Sequence, residues 1–170
     1  LEEAKITVDS LAWLAPGLRV DEFRREALPR IGPGKTVRRF ALFDLSDQRE
    51  LDDVCGAAGF NVYHKSLLYL VSRALEEPSG QSLPDTFEAP LLGMQKFLEG
   101  QSAGAASPTL AQQIKAVGGA VFYSPQASPL DGRTDAPGHG QFTDDMPTMN
   151  SVAMRILRIV DPAKLHSYQG

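Results

Sequence analysis

Three short apolar segments are separated by segments with helical periodicity, and this alternation restricts the chain to few folds. The apolar segments have the length and the aromatic and branched content of buried strands: SLAWLA (10–15), TVRRFALFDL (36–45) and AVFYS (120–124). Apolar residues recur at helical spacing in 20–31, 61–74, 91–98, 109–117 and 149–160. Strands that alternate with helices predict parallel strands joined by right-handed crossovers. The expected fold class is therefore α/β, with about three parallel strands and packing helices.

The chain has the composition of one globular domain. Of its 170 residues, 42% are hydrophobic and 22% are charged, which is typical of a folded protein with a substantial core. We therefore expect a single domain over residues 1–170. Residues 125–140 are rich in Gly, Pro, Asp and Ser, and they predict a long loop that is either functional or flexible. Residues 161–170 are expected to be a frayed tail.

Charge and cysteine content argue against several classes of partner. The formal net charge is −4, and Lys and Arg are scattered along the chain, so we expect neither nucleic acid nor a membrane surface as a partner. The single cysteine, Cys55, cannot form an internal disulfide and favours a reducing compartment, which makes the cytoplasm the expected location. No segment resembles a cofactor-binding motif, so no cofactor is predicted.

Two polar positions follow predicted strands closely enough to carry chemistry. Asp47 comes directly after the second strand, and His139 stands between two glycines after the third. In open parallel sheets, functional residues gather beyond the carboxyl ends of the strands. A nucleophile–histidine–acid system needs a carboxylate to orient the imidazole, and Asp47 before His139 agrees with the order acid, then histidine, found in one class of such enzymes. We therefore predict an Asp47–His139 pair, while Asp44, Asp52 and Asp53 stay open as alternative acids.

Five stretches give the chain a family resemblance: SLAWLAPGLRVDEFRREALPRI, RFALFDLSDQRELDDVCG, YHKSLLYLVSRALE, PLLGMQKFL and GHGQFTDDMPTMNSVAMRIL. Together they resemble the C-terminal portion of uncharacterised bacterial proteins of the α/β-hydrolase fold. The resemblance implies that the chain is a partial α/β-hydrolase-like layer in which Asp47 is the acid after the penultimate core strand and His139 is the catalytic histidine. It also implies that the nucleophilic serine and the N-terminal half of the fold lie upstream of Leu1.

Other groupings compete with this interpretation. Gly100-Gln101-Ser102-Ala103-Gly104 matches the nucleophile motif G-x-S-x-G, and Ser102 could then act with His139 and with Asp131 or Asp135 in a small complete hydrolase. That motif requires a strand before it and a helix after it, whereas charged, helix-forming residues precede it in this chain and a proline follows. Cys55 lies near Asp52 and Asp53, which disfavour a reactive thiolate. Asp144, Asp145 and His139 lack a distinctive ligand spacing, so no metal site is predicted.

The functional expectation is therefore a hydrolase part. The chain would supply the acid and the histidine for ester or amide hydrolysis of a small-molecule substrate, and it would be inactive without the upstream serine. The alternative is a non-catalytic α/β module for binding or assembly in which the same residues are structural, since one fold serves many functions.

Overall fold

Three parallel strands form the centre of the protein. The computed structural model describes residues 6–53, 55–57, 60–63, 68, 71–72, 89–100, 107–159 and 161. The strands are β1 (Leu11–Leu14), β2 (Phe40–Leu45) and β5 (Ala120–Ser124), in the order β1-β2-β5. Leu11 pairs with Phe40, and Ala41 pairs with Ala120. This arrangement confirms the predicted α/β class and the parallel sheet.

The central strand is buried on both faces. Every residue of β2 is buried, as expected of a strand in a parallel sheet that is covered on two sides. Because side chains alternate along a strand, Phe40 and Leu42 belong to one core, whereas Phe43 and Leu45 belong to the other. The two cores fix the register of β2, since a slip of one residue would exchange them.

Helices cover the first core. Helix α1 (Val20–Glu22) continues as a π-helical turn (Phe23–Ala27) and a 3-10 turn (Leu28–Arg30). Helices α3 (Gln95–Glu99) and α4 (Leu110–Ala116) complete this layer, and the Thr109 hydroxyl caps α4 within a capping box. Phe23 packs against Trp13 and Phe40 with ring centroids 5.8 and 5.7 Å away.

The second core is covered by the chain that follows β5. Helix α5 (Met146–Leu157) begins after Asp145, whose carboxylate accepts from Thr148 N, and it ends where Arg158 adopts a left-handed conformation. The preceding loop buries Ala136 and Phe142 against the sheet. Among the residues that the structure describes, no helix is long and apolar enough to cross a membrane.

One predicted element differs in kind. A helix was expected from Asn61, but Phe60–Tyr63 form strand β4, which pairs antiparallel with β3 (Cys55–Ala57). The aromatic and branched residues of the sequence FNVY favour an extended conformation, and a partner strand lies close before it in the chain. Most of the remaining predicted helix, to residue 74, lies outside the described residues.

Other differences concern boundaries. The second strand begins at Phe40 instead of position 36, because Val37 is used in isolated bridges to Val8 and Ile31. The loop predicted over 125–140 contains two 3-10 turns, Leu130–Gly132 and His139–Gln141.

Candidate active site

The carboxyl edge of the sheet carries the polar residues that the sequence singled out. Helix α2 (Asp47–Asp52) starts one residue after β2 and is capped by Ser46, whose side chain accepts from Arg49 N. A chain that leaves a buried strand and turns at once into a helix places the first helical turns above the sheet edge. The loop after β5 returns over the same edge and carries His139.

The backbone of His139 is held by Asp53. Its N–H donates to Asp53 Oδ2 at 3.0 Å. A Cβ atom at the neighbouring Gly138 would lie 2.6 Å from Asp53 Oδ1, so a larger residue there would displace the Asp53 carboxylate. The glycine before His139 therefore has a packing reason: it lets the Asp53 carboxylate reach the start of the 3-10 turn.

The imidazole of His139 lies against Glu50. His139 Nε2 is 2.7 Å from Glu50 Oε1, and the two side chains are 13% and 1% exposed. The separation is that of an ion pair, while the angles at these two atoms fall short of a hydrogen bond. A carboxylate and an imidazole at this distance, almost without solvent, interact more strongly than they would at the surface.

A second carboxyl group is buried close by. Asp44, at the carboxyl end of β2, is fully buried, and neither of its oxygens has a hydrogen-bond partner among the described residues. Burial raises the pKa of Asp44 well above its ordinary value, and the charge of Glu50 raises it further. Burial and the neighbouring carboxylate therefore both act in the same direction on the pKa of Asp44.

Asp47 lies elsewhere than the sequence predicted. Its Oδ1 accepts from Lys96 N at 3.1 Å, and its own N–H donates to Gln95 Oε1 at 2.8 Å. The carboxylate that the structure places against the imidazole is Glu50, while the catalytic role expected of Asp47 stays a prediction. The two side chains point in different directions. Asp47, in the first turn of α2, points to the start of α3, whereas Glu50, one turn later, points to the loop that carries His139.

Arg49 attaches the loop to α2. Its Nη1 donates to Ser124 Oγ at 2.8 Å and to the Ala136 carbonyl at 2.7 Å, and its Nη2 donates to Asp135 Oδ1 at 2.6 Å. One guanidinium group thereby fixes the end of β5 and the segment before His139. This attachment holds the loop next to Glu50.

The alternative site residues have other partners or fall outside the description. Asp131 pairs with Arg155 at 2.9 Å, and Asp135 pairs with Arg49. Asp145 caps α5 and also accepts from Asp135 N at 2.9 Å. Ser102 lies outside the described residues, and of Cys55 only the strand backbone is described. Within the described ranges, no group of three His, Cys, Asp or Glu residues is placed to hold a metal ion.

A cavity of about 740 Å³ lies beside the loop, between its proline-rich start and the first turns of α5. Its wall includes Arg133, Thr134 and Met146, but neither Glu50 nor His139 lines it. The cavity shares Asp135 with the Arg49 contact. It is thus a neighbour of the candidate site and separate from the Glu50–His139 contact.

Sequence reasoning missed Glu50 and Arg49. The segment DQRELD has no apolar stripe, so nothing in its pattern indicates that Glu50 is fully buried. The available signal was position: α2 starts at the carboxyl edge, and residues three apart on a helix lie on neighbouring turns. Asp53 was kept open as an acid, and the structure gives it a role on the His139 backbone.

Comparison with known proteins gives no assignment to a family: no family model, curated protein or solved structure matches the chain. The arrangement of Glu50, His139 and the residues that hold them is therefore the basis for assigning a function.

Proposed function

We propose that this chain carries the histidine and the acid of a serine-hydrolase-type centre that cleaves an ester or amide by acyl transfer. His139 is the general base, Glu50 is the carboxylate that orients it, and the nucleophilic serine lies upstream of Leu1. The single observation that carries the proposal is the buried contact of 2.7 Å between His139 Nε2 and Glu50 Oε1 at the carboxyl edge of a parallel sheet.

The chemistry follows from the contact. The serine oxygen attacks the carbonyl carbon, and its proton passes to the imidazole. Glu50 stabilises the imidazolium that forms, and the imidazolium then gives the proton to the departing alcohol or amine. Water, deprotonated by the same imidazole, releases the acyl group from the serine. Because Nε2 faces Glu50, Nδ1 is the ring nitrogen that accepts the serine proton, the reverse of the usual use of the two nitrogens.

Two further residues fix the position of His139. Asp53 holds the backbone of His139, and Arg49 holds the loop before it at Ala136. A general base must stay within hydrogen-bond reach of the proton that it takes, so a loop histidine needs such supports. Both residues act on the backbone of the loop through these hydrogen bonds, and we assign both as positioning residues.

The experiment uses the protein expressed together with the coding sequence that precedes Leu1. A fluorophosphonate probe, which reacts with activated serines, is added, and mass spectrometry locates the modified residue. We expect an upstream serine to be labelled. Labelling should fall by on the order of 10⁶-fold in His139→Ala and by on the order of 10⁴-fold in Glu50→Gln, since losing the histidine or the acid of a triad has effects of those sizes.

Asp47→Asn is the matched control, because Asp47 is a carboxylate on the same helix that contacts Lys96 N. This variant should be labelled nearly as fast as the unchanged protein. Loss of labelling in Asp47→Asn but not in Glu50→Gln would assign the acid to Asp47 and contradict the role of Glu50 as the orienting carboxylate. Labelling at Ser102 would contradict the upstream serine, and labelling that survives in His139→Ala would contradict His139 as the base. No labelling of the unchanged protein would favour the non-catalytic module.

A further inference from the structure

A basic cleft lies between α3 and residues 19–27, the segment of α1 and its π-helical continuation that we call the α1 segment. Its volume is about 410 Å³, and its charged lining consists of Arg19, Arg24 and Lys96 with one acid, Asp21. The cleft lies close to the carboxyl edge of the sheet. Lys96 N donates to Asp47 Oδ1 at that edge, and the α1 segment follows β1 in the chain. Three basic side chains and one carboxylate therefore line the cleft.

Arg24 is the unusual member. Its Nε is buried, and no hydrogen bond or ion pair joins its guanidinium to another described residue. A buried N–H donor without an acceptor is unfavourable, so the Nε of Arg24 is a donor in need of an acceptor.

The one acid of the cleft does not supply that acceptor. Asp21 Oδ1 accepts from Arg19 Nε at 3.0 Å, and this hydrogen bond lowers the pKa of Asp21 below its usual value. The Asp21 carboxylate is therefore matched by Arg19, and the charge of Arg24 is left over.

A second basic cleft provides the contrast. Arg39, Arg155 and Arg158 line a cleft of about 480 Å³ near the start of β2. Arg39 and Arg158 pair with Asp9, and Arg155 pairs with Asp131. Each arginine of this second cleft has an acidic partner within the protein, whereas Arg24 has none among the described residues.

We propose that the cleft between the α1 segment and α3 binds an oxyanion, a carboxylate or phosphate group of a small ligand. Arg24 supplies the fork of N–H donors, which matches the planar or tetrahedral oxygens of such a group, and Arg19 and Lys96 add charge at its sides. The inference is independent of the hydrolase proposal, since none of these residues takes part in that chemistry.

The test is isothermal titration of the whole chain with inorganic phosphate and, separately, with acetate in a chloride background. We expect saturable binding of at least one anion, and the stronger of the two identifies the group. Binding should weaken about tenfold to a hundredfold in Arg24→Gln, which removes charge-assisted hydrogen bonds. Arg25→Gln is the matched control: Arg25 is adjacent, its side chain is 63% exposed and it pairs with Glu26, outside the cleft.

Equal binding by Arg24→Gln and Arg25→Gln, or no saturable binding of either anion by the unchanged chain, would overturn the proposal. If Arg24→Gln does not fold, as judged by circular dichroism, the unchanged chain decides. Phosphate or acetate should then shift the NMR resonance of the Arg24 Nε–H group and leave that of Arg25 in place. An unmoved Arg24 resonance would overturn the proposal as well.

Discussion

At the residue scale, the two buried carboxyl groups, Asp44 and Glu50, differ in their surroundings. Asp44, the penultimate residue of β2, is fully buried without a hydrogen-bond partner among the described residues, whereas Glu50 faces an imidazole. Burial and the charge of Glu50 both raise the pKa of Asp44 in the folded state. Two titratable groups with such different surroundings are a frequent feature of active sites.

Because the pKa of Asp44 is raised in the folded protein, we expect the protein to lose stability as the pH rises. In the unfolded chain its pKa is about 3.9, and in the folded protein it is raised, so between the two values the folded state binds the extra proton. The free energy of unfolding should therefore fall by about 1.4 kcal/mol per pH unit in that interval, relative to Asp44→Asn. Urea unfolding from pH 4.5 to 8 measures this difference.

The control is Asp52→Asn, which removes an exposed carboxylate on α2. For this variant, the difference in free energy of unfolding from the unchanged chain should not fall as the pH rises. A difference between Asp44→Asn and the unchanged chain that stayed constant with pH would mean that Asp44 is ionised in the folded protein.

At the element scale, the strands were predicted well because burial on both faces produces continuous apolar runs. Ala120–Ser124 matches the predicted boundaries, and β1 and β2 lie within theirs. The strand at Phe60–Tyr63 was predicted as helix, because a segment of four residues has too few positions to separate the two periodicities. The polar helix α2 has no apolar stripe, and its buried Glu50 depends on contacts distant in sequence.

The turn before α3 predicts a stability effect of its own. Gly93 donates to the Pro16 carbonyl, and a Cβ atom at this position would lie 2.8 Å from that oxygen and 2.7 Å from Leu68 Cδ1. Gly93→Ala should therefore reduce the free energy of unfolding by about 1–3 kcal/mol, the usual cost of an added methyl group in a packed site. Urea unfolding checks this value.

Gly140→Ala is the comparison, because nothing lies within 4 Å of its added Cβ. Its free energy of unfolding should stay within about 0.5 kcal/mol of the unchanged chain. Equal effects at the two glycines would show that the turn before α3 does not pack closely against the end of β1.

At the scale of the whole molecule, two cores meet on one sheet, and the loop after β5 is bound to the edge between them. The α/β class and the position of His139 at this edge follow from the order of strands and helices. The carboxylate that contacts the imidazole does not follow from that order. It depends on how helix α2 and the loop after β5 pack against each other, and the hydrogen bond between Asp53 and His139 in this region joins residues that are 86 positions apart. The sequence places candidates at the correct edge, and only packing selects Glu50 over Asp47.

The central claim is that Glu50, and not Asp47, is the carboxylate coupled to His139. A double-mutant cycle on the whole chain tests it most directly, with urea unfolding of Glu50→Gln, His139→Gln and the double variant. A second cycle replaces Glu50→Gln by Asp47→Asn. We predict a coupling free energy of about 1 kcal/mol or more between Glu50 and His139, and less than about 0.5 kcal/mol between Asp47 and His139. Strong coupling of Asp47 with His139 and none for Glu50 would contradict the assignment of Glu50 as the partner of the imidazole.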